Sequence, residues 1–519
     1  MVPDKRMRQT ASGMRGAARQ AVPARRVRRA VMALPLLLPL WLLGCAGIDL
    51  DQASVPLTSA SAAAEFADMS PAQRREHERL VASYGGAYDD PELKALIQQV
   101  VERLVAASER PDLKYRVTVL NSPAINAFAL PDGSLYVTRG LLALANDTSE
   151  LSSVLAHEMA HVIARHATIR EDQVKQAVLV SRVISDVVND PDLGALAMQK
   201  SRRTLASFSR GQELEADAIG VGIAARAGFD PYGATRFLGD MGRYAELKST
   251  AFSGQNASQG ASTTPDMDFL SSHPATPERI SIAIANARQY AGAGGQADGE
   301  RDRSAYLSAI NGMVYGDDPK EGFVRGRKFF HPKLGFTFTA PDGFSLENTS
   351  QAVLGATQTG REALRLDAVR IATDQSLAQY LSSGWIDGVE INTVETLTVN
   401  GFSAATAVAR GDQWSFRMFA IRFGTDVYRL IFAARELTPE LDKQFRAAAD
   451  TFRRVSSGEA ETVKPLRVRI VQVGLGDTPE KLASRMQVPD RPGERFLILN
   501  GLDANAKLKY GEKVKIIAD

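Results

Sequence analysis

One cysteine in 519 residues excludes an internal disulfide, so every domain must be held by its own core. Histidine is also scarce, with six in the chain, so two of them four residues apart call for an explanation. The apolar run "AVMALPLLLPLWLLG" stops short of the ~20 residues that a membrane-spanning helix needs. With 44% hydrophobic and 24% charged residues, the composition is neither collagen-like nor disordered. A chain this long exceeds one ordinary core, and two to four domains are expected.

What is present at the N-terminus is a basic segment, with "ARRVRR" at 24–29, followed by that apolar run and then "LLGC" ending at Cys45. A basic n-region and a short h-region are the parts of a secretory signal. "LLGC" resembles the lipobox of bacterial lipoproteins, where cleavage precedes an acylated cysteine. The paired arginines fit a twin-arginine signal or an ordinary basic n-region. The expectation is a signal over 1–44, lipidation at Cys45, a small-residue tether over 45–69, and a periplasmic chain held by lipid. Ala46 after the cysteine resembles outer-membrane rather than inner-membrane sorting. The signal carries nine bases and one acid, so its removal takes the formal charge from +2 to about −6. The basic balance is therefore no argument for nucleic acid, and no nucleic-acid partner is expected.

Helical periodicity begins near Pro71 and returns over roughly 140–246, with two strand-like runs around a Pro-Asp-Gly turn between them. Polar stretches at 248–266 and near 300 break the pattern. From 301 to 456 alternating strands dominate, and a last unit covers 465–519. The fold class expected is multidomain α+β. A mainly helical gluzincin-type unit with a small sheet (70–300) precedes an antiparallel α+β unit of sheet and two helices (301–456) and a small βααβ unit.

"LAHEMAH" puts His157 and His161 on one helix face, four residues apart, with Glu158 beside the first. Two imidazoles so placed can bind one zinc ion, and an adjacent carboxylate can take a proton from water. "DTSE" at 147–150 resembles a capping box, and Leu151, Val154, Leu155, Val162 and Ile163 form a buried stripe. A third ligand is required. Its place in a His-x-x-Gly-x-x-His continuation is taken by Ala164 and Ala167, with His166 one residue off, so a carboxylate on a later helix is expected from "SRGQELEADAIG".

"NAFALPDGSLYVTRGLL", "VLAHEMAHVIARH", "SRGQELEADAIG" and "SSHPATPERI" stand in the order of the motifs of HtpX/BepA/OMA-type zinc metalloproteases, peptidase family M48, which the chain resembles over about 70–295. The resemblance implies Glu213 as third ligand to one zinc per chain, with Asp217 holding a ligating imidazole from behind; Glu215, two residues on, would point elsewhere. It implies His273 as an oxyanion donor or a reversible fourth ligand, with Arg279 supporting it. The reaction implied is peptide hydrolysis with Glu158 as general base. The strand Ser134, Leu135, Tyr136, Val137 and Thr138 is expected to be an exposed edge that cradles an extended substrate. The helical segment between the two metal motifs, 175–199, reads as a lid or an edge over the cleft or as buried core, with a helix lying on the membrane as the remaining alternative.

"GDT" at 476–478, "LNGL" at 499–502 and Gly511 resemble a LysM module, which implies a βααβ fold and binding of peptidoglycan. Pro479 and the insert "VPDRPGERF" depart from the pattern, so a packing or partner-docking role stands beside glycan binding. The 301–456 unit shows no catalytic constellation. It weakly resembles the PsbP/Mog-like fold, its His331 reads as structural, and recruitment of substrates or partners is expected of it. Together these lead to a membrane-anchored zinc endopeptidase acting on misfolded or regulatory envelope proteins. The alternative is a peptidoglycan-associated chaperone or scaffold with a capped or structural metal site.

Overall fold

The computed structural model describes residues 68–176, 208–251, 269–291 and 299–519, apart from 373, 457, 460–463 and 489. The signal, Cys45, the tether to residue 67, most of the helical segment between the metal motifs and most of the 248–266 loop lie outside them. The described residues form a multidomain α+β arrangement of helices and several sheets. None of their helices is long and apolar enough to cross a membrane.

The first part begins with α1 (Pro71–Ser83) and α2 (Pro91–Ala107), each started by a side-chain cap and a proline in the first turn. Three short strands follow, β1 (Arg116–Leu120), β2 (Ala127–Ala129) and β3 (Ser134–Thr138), then α3 (Arg139–Leu144) and α4 (Thr148–Ile163). The sheet order is β1-β3-β2, with β3 parallel to β1 and antiparallel to β2. This corrects the expectation for Ser134–Thr138. The strand is central, paired on both sides and buried along its length, so its backbone is not free to bind a peptide. Four further helices complete the part: α5 (Arg210–Arg226), α6 (Gly233–Ala251), α7 (Phe269–Ser272) and α8 (Pro277–Tyr290).

After α9 (Arg303–Ile310), the second part builds a seven-stranded antiparallel sheet. Its order is β10-β11-β12-β13-β9-β8-β7, running from β7 (Phe344–Asn348), β8 (Val353–Thr357) and β9 (Glu362–Val369) to β10 (Glu395–Val399), β11 (Phe402–Arg410), β12 (Ser415–Phe423) and β13 (Asp426–Ala434). Alternation along β11 and β12 separates two cores. Phe419 and Ile421 pack with Phe445 of α11 (Pro439–Ala449), while Met418 and Ala420 pack with Leu377 and Leu381 of α10 (Leu377–Leu381). A smaller sheet is built from β4 (Phe323–Arg325), β5 (Lys328–His331), β6 (Phe336–Thr339) and β14 (Arg453–Arg454) in the order β14-β6-β5-β4, and it lies with the α11 core through Phe329, Phe336 and Phe338.

The last part runs β15 (Arg467–Gln472), α12 (Pro479–Ala483), α13 (Pro492–Leu499) and β16 (Lys513–Ala518), the two strands antiparallel. Its Val468, Leu482, Phe496, Val514 and Ile516 belong to the same hydrophobic core as Leu142, Leu155 and Phe237 of the first part. Residues 312–315 extend its two strands, with Gly312 N–H donating to Val468 O at 2.8 Å and Tyr315 N–H to Leu466 O at 2.7 Å.

Candidate metal centre

The Asp147 carboxylate accepts from Glu150 N–H at 2.9 Å and starts α4. The reciprocal arm of the expected capping box lands one residue earlier, on Asn146 N–H, 2.8 Å from Glu150 Oε2. The helix has hardly any exposed face over 148–161, because α2, α5, α6 and β2 pack around it. Gly220 brings α5 against it. A Cβ there would lie 3.0 Å from His157 N and 3.1 Å from His157 Cα. This close approach delivers Glu213 and Asp217, one turn apart on α5, to the histidines of α4.

His157, His161, Glu213 and His273 each offer a donor atom, all within 4.8 Å of one another and all buried. His157 Nε2 is 3.1 Å from His161 Nε2 and 3.3 Å from His273 Nδ1. His273 Nδ1 is 2.9 Å from Glu213 Oε1. Behind this group, Asp217 Oδ1 lies 2.9 Å from His157 Nδ1. Arg279 donates twice to Asp217, at 2.7 Å each, and approaches Glu213 Oε2 at 2.8 Å. Its third partner is the Pro274 carbonyl at 3.1 Å, so the hydrogen bonds and ion pairs of Arg279 go to the loop of His273 and to Glu213 and Asp217, and its charge reaches the His273 ring without direct contact.

The electrostatics suit a cation. Burial holds the His157, His161 and His273 rings below the usual histidine range, His273 at about 3 with Arg279 contributing, so all three keep a free lone pair. Burial and the nearby Glu213 push Glu158 well above the carboxylate range, and burial raises Glu213 too. Asp217 runs the other way: although burial opposes it, Arg279 and His157 hold it below its ordinary value. Glu158 Oε1 is buried with no hydrogen-bond partner, and His273 Nε2 is 3.7 Å away. Neutral imidazoles, crowded carboxylates and an orphaned oxygen are the donor set that one divalent ion satisfies, and nitrogen with carboxylate oxygen fits zinc.

The strand beside this group is β2, the open edge of the small sheet. Thr138 N–H donates to Asn126 O and Leu130 N–H to Ser134 O, so the backbone groups of Ala127 and Ala129 face away from β3. The Ala129 backbone lies close enough to the Glu158 carboxylate to oppose the burial that raises it. Sequence reasoning missed two more residues here. His166 Nδ1 lies 2.9 Å from His161 Nδ1, and Phe208 stacks on the His161 ring with centroids 4.0 Å apart. The presence of a sixth histidine five residues after a ligand was the available signal for the first; nothing in the sequence marked Phe208.

Residues 91–286 match the profile of Peptidase family M48. The mitochondrial metalloendopeptidase OMA1 of Schizosaccharomyces pombe is 31% identical over 193 residues, covering 36% of this chain and 50% of that protein. The beta-barrel assembly-enhancing protease of Yersinia pestis is 32% identical over 212 residues, covering 38% and 40%. The chain thus spans half or less of the length of these relatives. The solved cyanobacterial PsbP of Synechocystis sp. PCC 6803 aligns over 27% of the chain and 98% of its own, at 13% identity and a TM-score of 0.20, too low to bear on the fold of the second part. With the matched segment enclosing both histidines of α4, Glu158, Glu213, Asp217, His273 and Arg279, residues 91–286 form a zinc metalloprotease domain of peptidase family M48.

Proposed function

We propose that the protein is an envelope zinc endopeptidase, tethered by lipid at Cys45 on the periplasmic side of the outer membrane, that cleaves misfolded or regulatory envelope proteins. The observation that carries the enzymatic part is the buried, unpartnered oxygen of Glu158 beside the donors of His157, His161 and Glu213. A purely structural metal site has no use for such a carboxylate. When bound, a zinc ion supplies Lewis acidity and acidifies water. His157, His161 and Glu213 would hold it, with Asp217 and Arg279 fixing His157 and Glu213. Glu158 takes the proton of the attacking water and returns it to the leaving amine. A substrate in extended form pairs with the outward groups of Ala127 and Ala129 on β2, which runs its backbone past Glu158. The relatives named as a metalloendopeptidase and as a beta-barrel assembly-enhancing protease support the enzymatic part of this reading.

A specific observation favours a latent form. His273 Nδ1 stands among the candidate ligand atoms, so its ring would serve as a fourth ligand at rest and would be available as a donor to the oxyanion when turned away. The scaffold alternative needs that cap to be permanent. Zinc content and casein cleavage, measured side by side on parent, Glu158→Gln and His273→Ala proteins, separate the cases. Stoichiometric zinc in all three, with cleavage lost in Glu158→Gln by about 10²–10⁴-fold, supports the protease. Cleavage that survives Glu158→Gln refutes the mechanism. Inactivity of both the parent and His273→Ala favours the scaffold. Binding to peptidoglycan through 465–519 is a separate proposal, tested by co-sedimentation with purified peptidoglycan.

A further inference from the structure

His161 turns Nε2 toward the ligand cluster and Nδ1 away from it, to within 2.9 Å of His166 Nδ1. His166 Nε2 in turn lies 3.3 Å from Glu215 Oε2. His166 is 1% exposed, whereas the Glu215 side chain is 60% exposed, so the three form a row from a buried ligand out to solvent.

Two facing imidazole nitrogens can share only one hydrogen. For His161 to offer the Nε2 lone pair to a metal, its hydrogen must sit on Nδ1. His166 then accepts at Nδ1 and carries its own hydrogen on Nε2. A carboxylate only accepts, so Glu215 closes the row in this one sense. The reverse assignment would aim a hydrogen from His161 Nε2 into the ligand cluster.

The backbone is bent to make this row. On a continuing helix, a residue five after His161 would lie about 140° around the axis. Instead α4 stops, and Arg165 takes a left-handed φ of 57° before a further helical run begins at His166. A residue with a Cβ pays about 1–2 kcal/mol for that conformation, which glycine would adopt freely. The turn returns His166 onto the far side of His161.

We infer that His166 and Glu215 form an orienting relay that fixes the tautomer and ring plane of His161 for zinc. They are positioning residues, and the inference rests on the metal-site reading above. His157 receives the same service directly from Asp217. Ligating histidines of this kind usually donate their second N–H to an acceptor, and loss of such a partner weakens metal binding about 10–100-fold.

The test is zinc affinity, by competition with a chelator, for the full chain and its His166→Phe, His166→Asn and Glu215→Ala variants. Phenylalanine keeps the ring but accepts nothing, so affinity should fall about 10–100-fold. Asparagine can place its oxygen where Nδ1 stood and should recover most of it. Glu215→Ala should weaken binding by less, because solvent can replace an exposed acceptor. A packing role for His166 predicts the opposite order, with phenylalanine the milder change, and that order overturns the relay. Equal affinity in all four proteins overturns it while leaving the metal site intact. Absence of zinc binding in the parent overturns the metal reading and the relay with it. Nitrogen-15 NMR of the zinc-loaded parent needs no variant: His166 in the Nε2–H tautomer is expected, and the Nδ1–H tautomer refutes the relay.

Discussion

His331 and His166 are both buried imidazoles, yet only one of them faces a candidate metal ligand. At His331 the neighbours are Phe329 and Phe336, and Nδ1 accepts from Leu334 N–H at 3.3 Å. Protonation would place a hydrogen where that bond needs a lone pair. Burial, helped by Lys333, lowers this histidine from 6.5 to about 4. Between those values the unfolded chain binds a proton that the folded one does not, so stability is lost as pH falls from 6.5 to 4 and the loss levels off below. It amounts to about 3 kcal/mol at the acid end. His331→Asn keeps an acceptor near Nδ1 and cannot titrate, so urea unfolding of the variant should lack this part of the acid slope; identical slopes would show that His331 does not contribute. The structural reading of His331 was available from its lack of acidic or histidine neighbours in sequence. The role of His166 was not, because Arg165 gives no sign in the sequence of the left-handed turn that brings His166 back.

The α4–α5 pair shows what helix contact contributes to the site. Gly220 is the position where the two backbones meet, and Gly220→Ala would force a methyl to within 3.0 Å of His157 N. The helices must separate by a few tenths of an ångström, which costs about 1–3 kcal/mol and moves Glu213 relative to His157 and His161. Weaker zinc binding and a lower unfolding temperature are expected together. Gly239, on α6, is the control: nothing lies within 4 Å of a Cβ there, so Gly239→Ala should stabilise by roughly 0.5–1 kcal/mol and leave zinc affinity unchanged. Equal behaviour of the two variants would deny Gly220 this role. Helix periodicity made α4 and α5 legible, since His157 and His161 on the first and Glu213 and Asp217 on the second both follow i, i+4 spacing. Strand order was not legible. Ser134–Thr138 has the composition of a sheet strand, but which strands flank it is decided by packing distant in sequence, and the open edge fell to β2.

Across the whole molecule, Lys515 of β16 ties the last part to the first. It is fully buried, and its Nζ donates to the carbonyls of Ala143 and Ala145, each at 2.8 Å, and of Leu144 at 3.2 Å. These are carbonyls at the C-terminus of α3 that have no partner within the helix, just ahead of the cap that starts α4; Leu144 O also accepts from Asn146 Nδ2 at 3.2 Å. Burial, with Arg303 nearby, lowers this lysine to about 7. Lys515→Met leaves the Ala143 and Ala145 carbonyls without a donor, while Leu144 O keeps Asn146 Nδ2 at 3.2 Å, and should cost about 2–4 kcal/mol, read as a lower unfolding temperature of the full chain with reduced zinc retention. An unchanged unfolding temperature would show the last part to be an appendage. Removal of 465–519 would also expose the core around Leu142, so peptidoglycan binding is better tested by substitutions at exposed Leu475 and Tyr510 than by truncation.

The tie at Lys515 spans 372 residues back to Ala143. During synthesis the corner ahead of the zinc helix therefore waits, uncapped, until β16 has emerged. A nascent chain that already carries the histidines and glutamates of its candidate metal centre still lacks, until its last residues are made, the cation that seats the corner in front of them.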